Sequence, residues 1–155
     1  MNRIAELIIR RATARMPDVV VGGREHPYLK RWFVIPRNPV FNIYMHQFLR
    51  SDDDRAHHTH PWLFNCSVIL SGEYIEHVIE RGGLLRRIAR SDSDVKFRLG
   101  ASPHRLELIN HKPCWTLFIT GPRVREWGFF CSDRFVHWKD FTTPDGNDIG
   151  RGCEQ

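Results

Sequence analysis

The chain of 155 residues has no apolar run close to the roughly 20 residues that span a bilayer. Its opening, MNRIAELIIRRATARM, interleaves charges with apolar residues and lacks the continuous apolar core of a signal peptide. With no membrane segment and no export signal, the expected compartment is the cytoplasm. Cysteine is scarce and scattered: Cys66, Cys114, Cys131 and Cys153 form no C-x-x-C pair. That spacing argues against a zinc knuckle or a dithiol redox motif, and free thiols are the expectation. Cys66 and Cys114 lie in apolar runs and read as small buried residues. There is no G-x-S-x-G, no phosphate-cradling glycine loop, no Ser- or Cys-centred triad spacing and no internal repeat.

Helical periodicity is also in short supply. It occurs once, over residues 2–15, where Ile4, Leu7, Ile8 and Ala12 form an apolar stripe before Pro17. Beyond it the chain breaks into short β-branched and aromatic runs separated by turn residues. YLKRWFVIP covers 28–36, and VFNIYMHQFL over 40–49 alternates between two faces, with His46 on one of them. LFNCSVILSGEYIEHVIE reads as two strands broken at Ser71-Gly72, and Arg81-Gly82-Gly83 reads as a hairpin turn to LLRRIAR. VKFRLG, HRLELIN, CWTLFITG and EWGFFC follow. Eight or nine such strands and one helix predict a single all-β domain, an antiparallel sandwich or small barrel over 28–141. The polar, glycine-containing residues 142–155 read as a flexible tail.

Twenty-three Lys and Arg against 18 Asp and Glu give a formal charge of +5, which favours anionic partners in general. The densest basic spots are Arg10, Arg11 and Arg15, and Arg86, Arg87 and Arg90. Solvated faces of a helix and a hairpin account for them, with nucleic acid or an anionic substrate as the other reading.

Histidine is the distinctive residue. In HHTHPW, starting at His57, His58 and His60 are two apart, so on an extended strand both rings point to one side. Neutral imidazole is the commonest protein ligand of divalent transition metals. His104, at the start of another strand after Pro103, supplies a third nitrogen if the two strands face each other. A surface loop whose histidines bond to backbone is the alternative reading of H-x-H alone.

HTHPWLFNCSVILSG followed by GASPHRLEL resembles the two signature segments of the cupin superfamily. His58 and His60 match the H-x-H, Gly72 falls in register, and Gly100, Pro103 and His104 match the second segment. Asn65 stands where the family has a glutamate ligand, Asp52 replaces a glycine, and the closing asparagine is shifted to Asn110. The resemblance implies an antiparallel cupin-type β-barrel (a double-stranded β-helix or jelly roll) with a short N-terminal helix. It also implies a divalent metal (Fe, Mn, Ni or Zn) held by His58, His60 and His104. The expected function is a small metal-dependent enzyme, dioxygenase- or isomerase-like, acting on a small polar or anionic molecule. A non-catalytic ligand-binding module and a basic nucleic-acid- or protein-binding protein are the alternatives. Dimers are frequent among cupins, so a homodimer is a further expectation.

Other residues are candidates for the pocket or its surroundings. His57 faces away from the H-x-H pair on a strand, and His46 either lines the barrel mouth or packs in the core. Glu107 alternates away from His104 and reads as an ion-pair partner, with Arg105 beside it. Asp54, in RSDDDR, is a candidate carboxylate for an imidazole N–H. Arg123 and Arg125, next to Trp127, form an anion-binding pair or edge charges.

Overall fold

A computed structural model describes residues 3–23, 25–52, 56–145 and 148–154. Helix α1 (Arg3–Thr13) is followed by twelve strands among the described residues, more than the eight or nine expected. The additional ones are mostly two- and three-residue segments too short for a periodicity to register. The first sheet contains β1 (Val19–Val21), β2 (Leu29–Phe33), β3 (Asn42–Phe48), β5 (Phe64–Ser71), β8 (Val95–Leu99) and β10 (Cys114–Thr120). The second contains β4 (His57–His58), β6 (Tyr74–Ile79), β7 (Leu85–Arg90), β9 (His104–Leu108), β11 (Gly128–Phe130) and β12 (Phe135–His137). The orders are β1-β2-β3-β10-β5-β8 and β12-β11-β4-β9-β6-β7, antiparallel throughout.

The break foreseen at Ser71-Gly72 is the turn between β5 and β6. Gly72 has φ of 94°, and a Cβ there would stand 2.8 Å from the Pro113 carbonyl oxygen, so only glycine fits. Gly82 and Gly83, both at positive φ, make the β6–β7 hairpin.

Alternation sorts the strands into faces. Cys114, Thr116, Phe118 and Thr120 on β10 are buried, as are Asn42, Tyr44, His46 and Phe48 on β3. Leu29, Phe48, Ile69, Tyr74, Leu106, Leu108 and Cys114 form the apolar floor between the sheets. Burial of this kind, at about 25 cal/mol per Å² of apolar surface, is the main force closing the two sheets on each other. Burial pushes the Cys114 thiol up to about 12.

Helix α1 packs on Trp32, Met45 and Leu70 of the first sheet through Ala5, Ile8, Ile9 and Ala12. The contact stripe is shifted by about one residue from the one expected, because small Ala5 takes the contact. Ile4 and Leu7 are left 71% and 66% exposed.

The cysteine expectation is corrected: Cys131 and Cys153 form a disulfide. Their Cα atoms are 5.6 Å apart, within bonding reach, because the C-terminal segment folds back beside β11. That segment is bonded to the barrel in its described residues. Gly150 N and Gly152 N donate to Phe141 O, Arg134 donates to Cys153 O at 3.1 Å, and Thr142 bridges Ile149. Short helix α2 (Trp138–Phe141) leads into it. Among the described residues no helix is long and apolar enough to cross a membrane.

Candidate metal centre

The H-x-H segment is fixed by backbone before any ligand is considered. His58 pairs with His104 across β4–β9 and with Phe129 across β4–β11. Thr59, 1% exposed, donates its N–H to Gly128 O at 2.9 Å, and its Oγ1 accepts from Gly128 N at 3.2 Å. His60 N donates to Gly100 O at 2.8 Å. A Cβ on Gly100 would lie 1.8 Å from the Trp62 carbonyl oxygen, so this close approach needs glycine.

The result is convergence. His58, His60 and His104 each offer a ligand nitrogen, all within 4.8 Å of one another. The ring centroids are 4.7 to 5.1 Å apart, and His60 Nε2 stands 2.9 Å from His104 Nε2. That contact closes when one imidazole donates to the other, or when both lone pairs turn to a shared cation. Nitrogens bound at about 2.1 Å to one ion lie roughly 3 Å apart, so the spacing of His60 and His104 fits a transition metal. Burial pushes His60 and His104 well below the ordinary histidine range, with neighbouring imidazoles and Arg98 adding to it. His58 is lowered by burial as well, against the opposing pull of Asp52. Neutral imidazole is the ligating form.

Two carboxylates address these rings from behind. Asp52 Oδ2 stands 3.7 Å from His58 Nδ1, and Glu76 Oε1 stands 3.6 Å from His104 Nδ1. Asp52 is fixed by the Tyr28 hydroxyl, which donates to Oδ1, and by Leu106 N, which donates to Oδ2 at 2.6 Å. Glu76 is fully buried and receives two guanidinium groups: Arg98 Nη2 on Oε1, and Arg90 Nε on Oε2 at 3.1 Å. Arg98 Nη1 also lies against His104, 2.6 Å from Nε2. A carboxylate behind a ligating imidazole sets its orientation and raises its basicity.

The group lines a 370 Å³ cavity whose wall includes Arg31, Phe48, Phe118 and Phe129. Asp148 and Ile149 of the C-terminal segment border it as well. Arg31 Nε donates to His46 Nε2 at 2.8 Å, and no carboxylate pairs with Arg31 among the described residues. His46 is 3% exposed and lowered well below its usual range, by burial first and Arg31 second. It lines the cavity rather than joining the three-histidine group.

The remaining candidates are dispersed. His57 lies on the other face of β4, with its Nε2 buried and unpartnered among the described residues. Glu107 faces outward and accepts from His77 at 2.6 Å, with Arg105 4.0 Å away. Asn65 is fully buried in register with Arg98 and Thr120, and both of its amide atoms lack a hydrogen-bond partner among the described residues. Arg123 borders a separate cavity, and Arg125 is exposed. Asp54 lies outside the described residues.

Sequence reasoning missed Asp52, Glu76, Arg98 and Arg31. One signal was available for Arg98. On β8 the apolar Val95, Phe97 and Leu99 are 57–63% exposed while Arg98 is 7% exposed. A strand that points its arginine inward and its apolar residues outward marks an interior built for charge.

No protein-family model and no curated protein sequence matches the chain. Solved structures do. Two structures of oxalate decarboxylase from Bacillus subtilis, one determined at pH 4.6 and one concerned with its Mn(II) centres, each match with a TM-score of 0.56 at 18% identity. Each match covers 77% of this chain and 31% of that one, so the chain spans about a third of that enzyme's length. The likeness is one of fold, an antiparallel β-barrel of jelly-roll type.

Proposed function

We propose that this chain is a metal-dependent enzyme acting on a small organic anion inside the barrel. The observation that carries the reading is the convergence of three imidazoles beside a buried arginine, in one cavity. Three nitrogen donors with no carboxylate in the set would hold Fe, Mn, Ni or Zn with its positive charge undiminished. Such an ion supplies Lewis acidity and, as iron, a place for O2 beside the substrate, which suits isomerase- or dioxygenase-like chemistry.

The chain's own residues divide the remaining work. Asp52 and Glu76 place negative charge behind the rings of His58 and His104. Arg98 lies against both ring nitrogens of His104 through Nη1, and Glu76 holds the same guanidinium through Nη2. Arg98 and Arg31 both line the cavity, and a bidentate guanidinium contact would fix the anion's orientation. Phe48, Phe118 and Phe129 exclude water, which strengthens each of these contacts.

The absent glutamate at Asn65 favours a second reading, a ligand-binding barrel without turnover. The nucleic-acid reading has less to rest on: Arg15 pairs with Asp18, Arg86 with Glu80 and Arg90 with Glu76.

Elemental analysis of protein purified without added metal tests the proposal. About one transition-metal ion per chain is expected in the wild type, and below roughly a tenth of that in His58→Ala/His104→Ala. Equal, negligible metal in both after incubation with each of the four ions overturns it. A ligand recovered unchanged after aerobic incubation of the loaded protein supports the binding-module reading instead.

A further inference from the structure

A second cavity, of about 270 Å³, opens on the flank of the barrel beside β2 and β3. Three arginines border it, Arg31, Arg37 and Arg123, and among the described residues no Asp or Glu lies in its wall. The cations are spread on rings: Arg31 stands 5.0 Å over Tyr44 and Arg37 stands 5.6 Å over Phe33. Stacking a guanidinium on a ring leaves its N–H edge for a ligand.

The scaffold under these groups is preorganised. Asn38 Oδ1 accepts from Val40 N and Phe41 N, each at 3.0 Å. Asn42 clamps the same loop, its Oδ1 accepting from Asn38 N at 3.0 Å and its Nδ2 donating to Asn38 O at 2.8 Å. Arg37 therefore rides on a fixed turn, while Arg123 is held by a backbone bridge to Trp62. Arg123 pairs with Glu126, 3.8 Å away and 67% exposed, a surface pair of small worth.

We propose that this flank cavity is a phosphate-binding site that takes the phosphomonoester group of a small molecule. Three arginines around one cavity favour an anion there, and a dianion balances their charge better than a single carboxylate. Phosphate oxygens match guanidinium forks in pairs. Phe33, Tyr44 and Trp62 give the organic part of the ligand an apolar wall. A nucleic-acid strand needs phosphate contacts spread along its length, whereas these arginines border a single cavity.

The site communicates with the central cavity. Arg31, Pro61 and Trp62 border both spaces, Arg31 bonds to His46, and the Trp62 ring stacks on His60 at 5.4 Å. A phosphate on Arg31 competes with His46 for the guanidinium, so occupancy of the flank reaches the histidine pocket. The site itself does not depend on a metal being held there.

Calorimetric titration at low salt tests the proposal with four probes: inorganic phosphate, phenyl phosphate, benzoate and a single-stranded DNA 20-mer. Phenyl phosphate is expected to bind and to lose about tenfold or more in affinity in Arg37→Ala/Arg123→Ala, with Trp62 fluorescence responding in the wild type. Both arginines are exposed, so the variant keeps its fold, and its metal content is expected to match the wild type. Arg86→Ala/Arg87→Ala is expected to bind as the wild type does. Tighter binding of phenyl phosphate than of inorganic phosphate identifies an ester as the occupant; the reverse order identifies free phosphate and overturns the ester assignment. Equal affinity in wild type and Arg37→Ala/Arg123→Ala, benzoate binding as tightly as phenyl phosphate, or DNA binding without either phosphate probe overturns the proposal.

Discussion

Strand β4 carries His57 on one face and His58 on the other, and its neighbours repeat the division. On β6, Glu76 faces inward and His77 outward; on β9, His104 faces inward and Arg105 outward. The same residue types thus occur on both sides of one sheet with opposite consequences. Outside, His77, Glu107 and Arg105 form an ordinary partly solvated network. Inside, the imidazoles face one another, and burial strips them of their affinity for protons. Strand alternation alone converts a histidine-rich stretch into one set of ligands and one set of surface groups.

Neutralising the carboxylate on each face puts the largest strain on this contrast. Glu76→Gln leaves Arg90 and Arg98 without their buried partner and is expected to cost about 3–5 kcal/mol in urea unfolding. Glu107→Gln, on the solvated face, is expected to cost below about 1 kcal/mol. Equal costs would show that the two faces do not differ in the way their burial implies.

A smaller effect is expected at Asp52. Asp52→Asn keeps the side-chain shape but removes the negative charge behind His58, and metal affinity measured by chelator competition is expected to fall about 10–100-fold. An outward counterpart, His77→Gln, is expected to leave metal affinity unchanged.

The mildest test is pH. His46 is buried neutral with its proton affinity well below the ordinary value of 6.5. Below about pH 6.5 the unfolded chain binds a proton at this position that the folded chain refuses, so stability falls as pH drops from there toward the folded-state value. Thermal melts between pH 8 and 5 are expected to show that decline, with a shallower slope in His46→Gln. An unchanged slope would remove His46 as a source of it.

Much of the barrel was legible because its signals are local. Val40 to Leu49 alternates visibly, Ser71-Gly72 announces a turn, and His58 and His60 share a side by spacing alone. The carboxylates behind the imidazoles were not legible, because they depend on register between strands distant in sequence. Val78 pairs with His104, which brings Glu76 alongside the ring, and nothing in GEYIEHVIE states that pairing. Asp52 was passed over for Asp54 because three consecutive aspartates carry no periodicity to choose among them. Arg31 and Arg98 looked like surface charges because arginine usually is one, and only the three-dimensional closure of the barrel turns them inward.

The Cys131–Cys153 bond alters the argument about where this protein works. Glutathione and thioredoxin keep most cytosolic thiols reduced, whereas disulfides persist in oxidising surroundings or in hyperthermophilic cells. Cysteine spacing no longer speaks for the cytoplasm, and the redox state of the surroundings decides whether residues 131 and 153 close a covalent ring. That ring contains Phe141, Asp148 and Ile149, which border the histidine cavity. The wall of the pocket is therefore anchored covalently at both ends in one redox environment, and in the other its far end is held by hydrogen bonds alone.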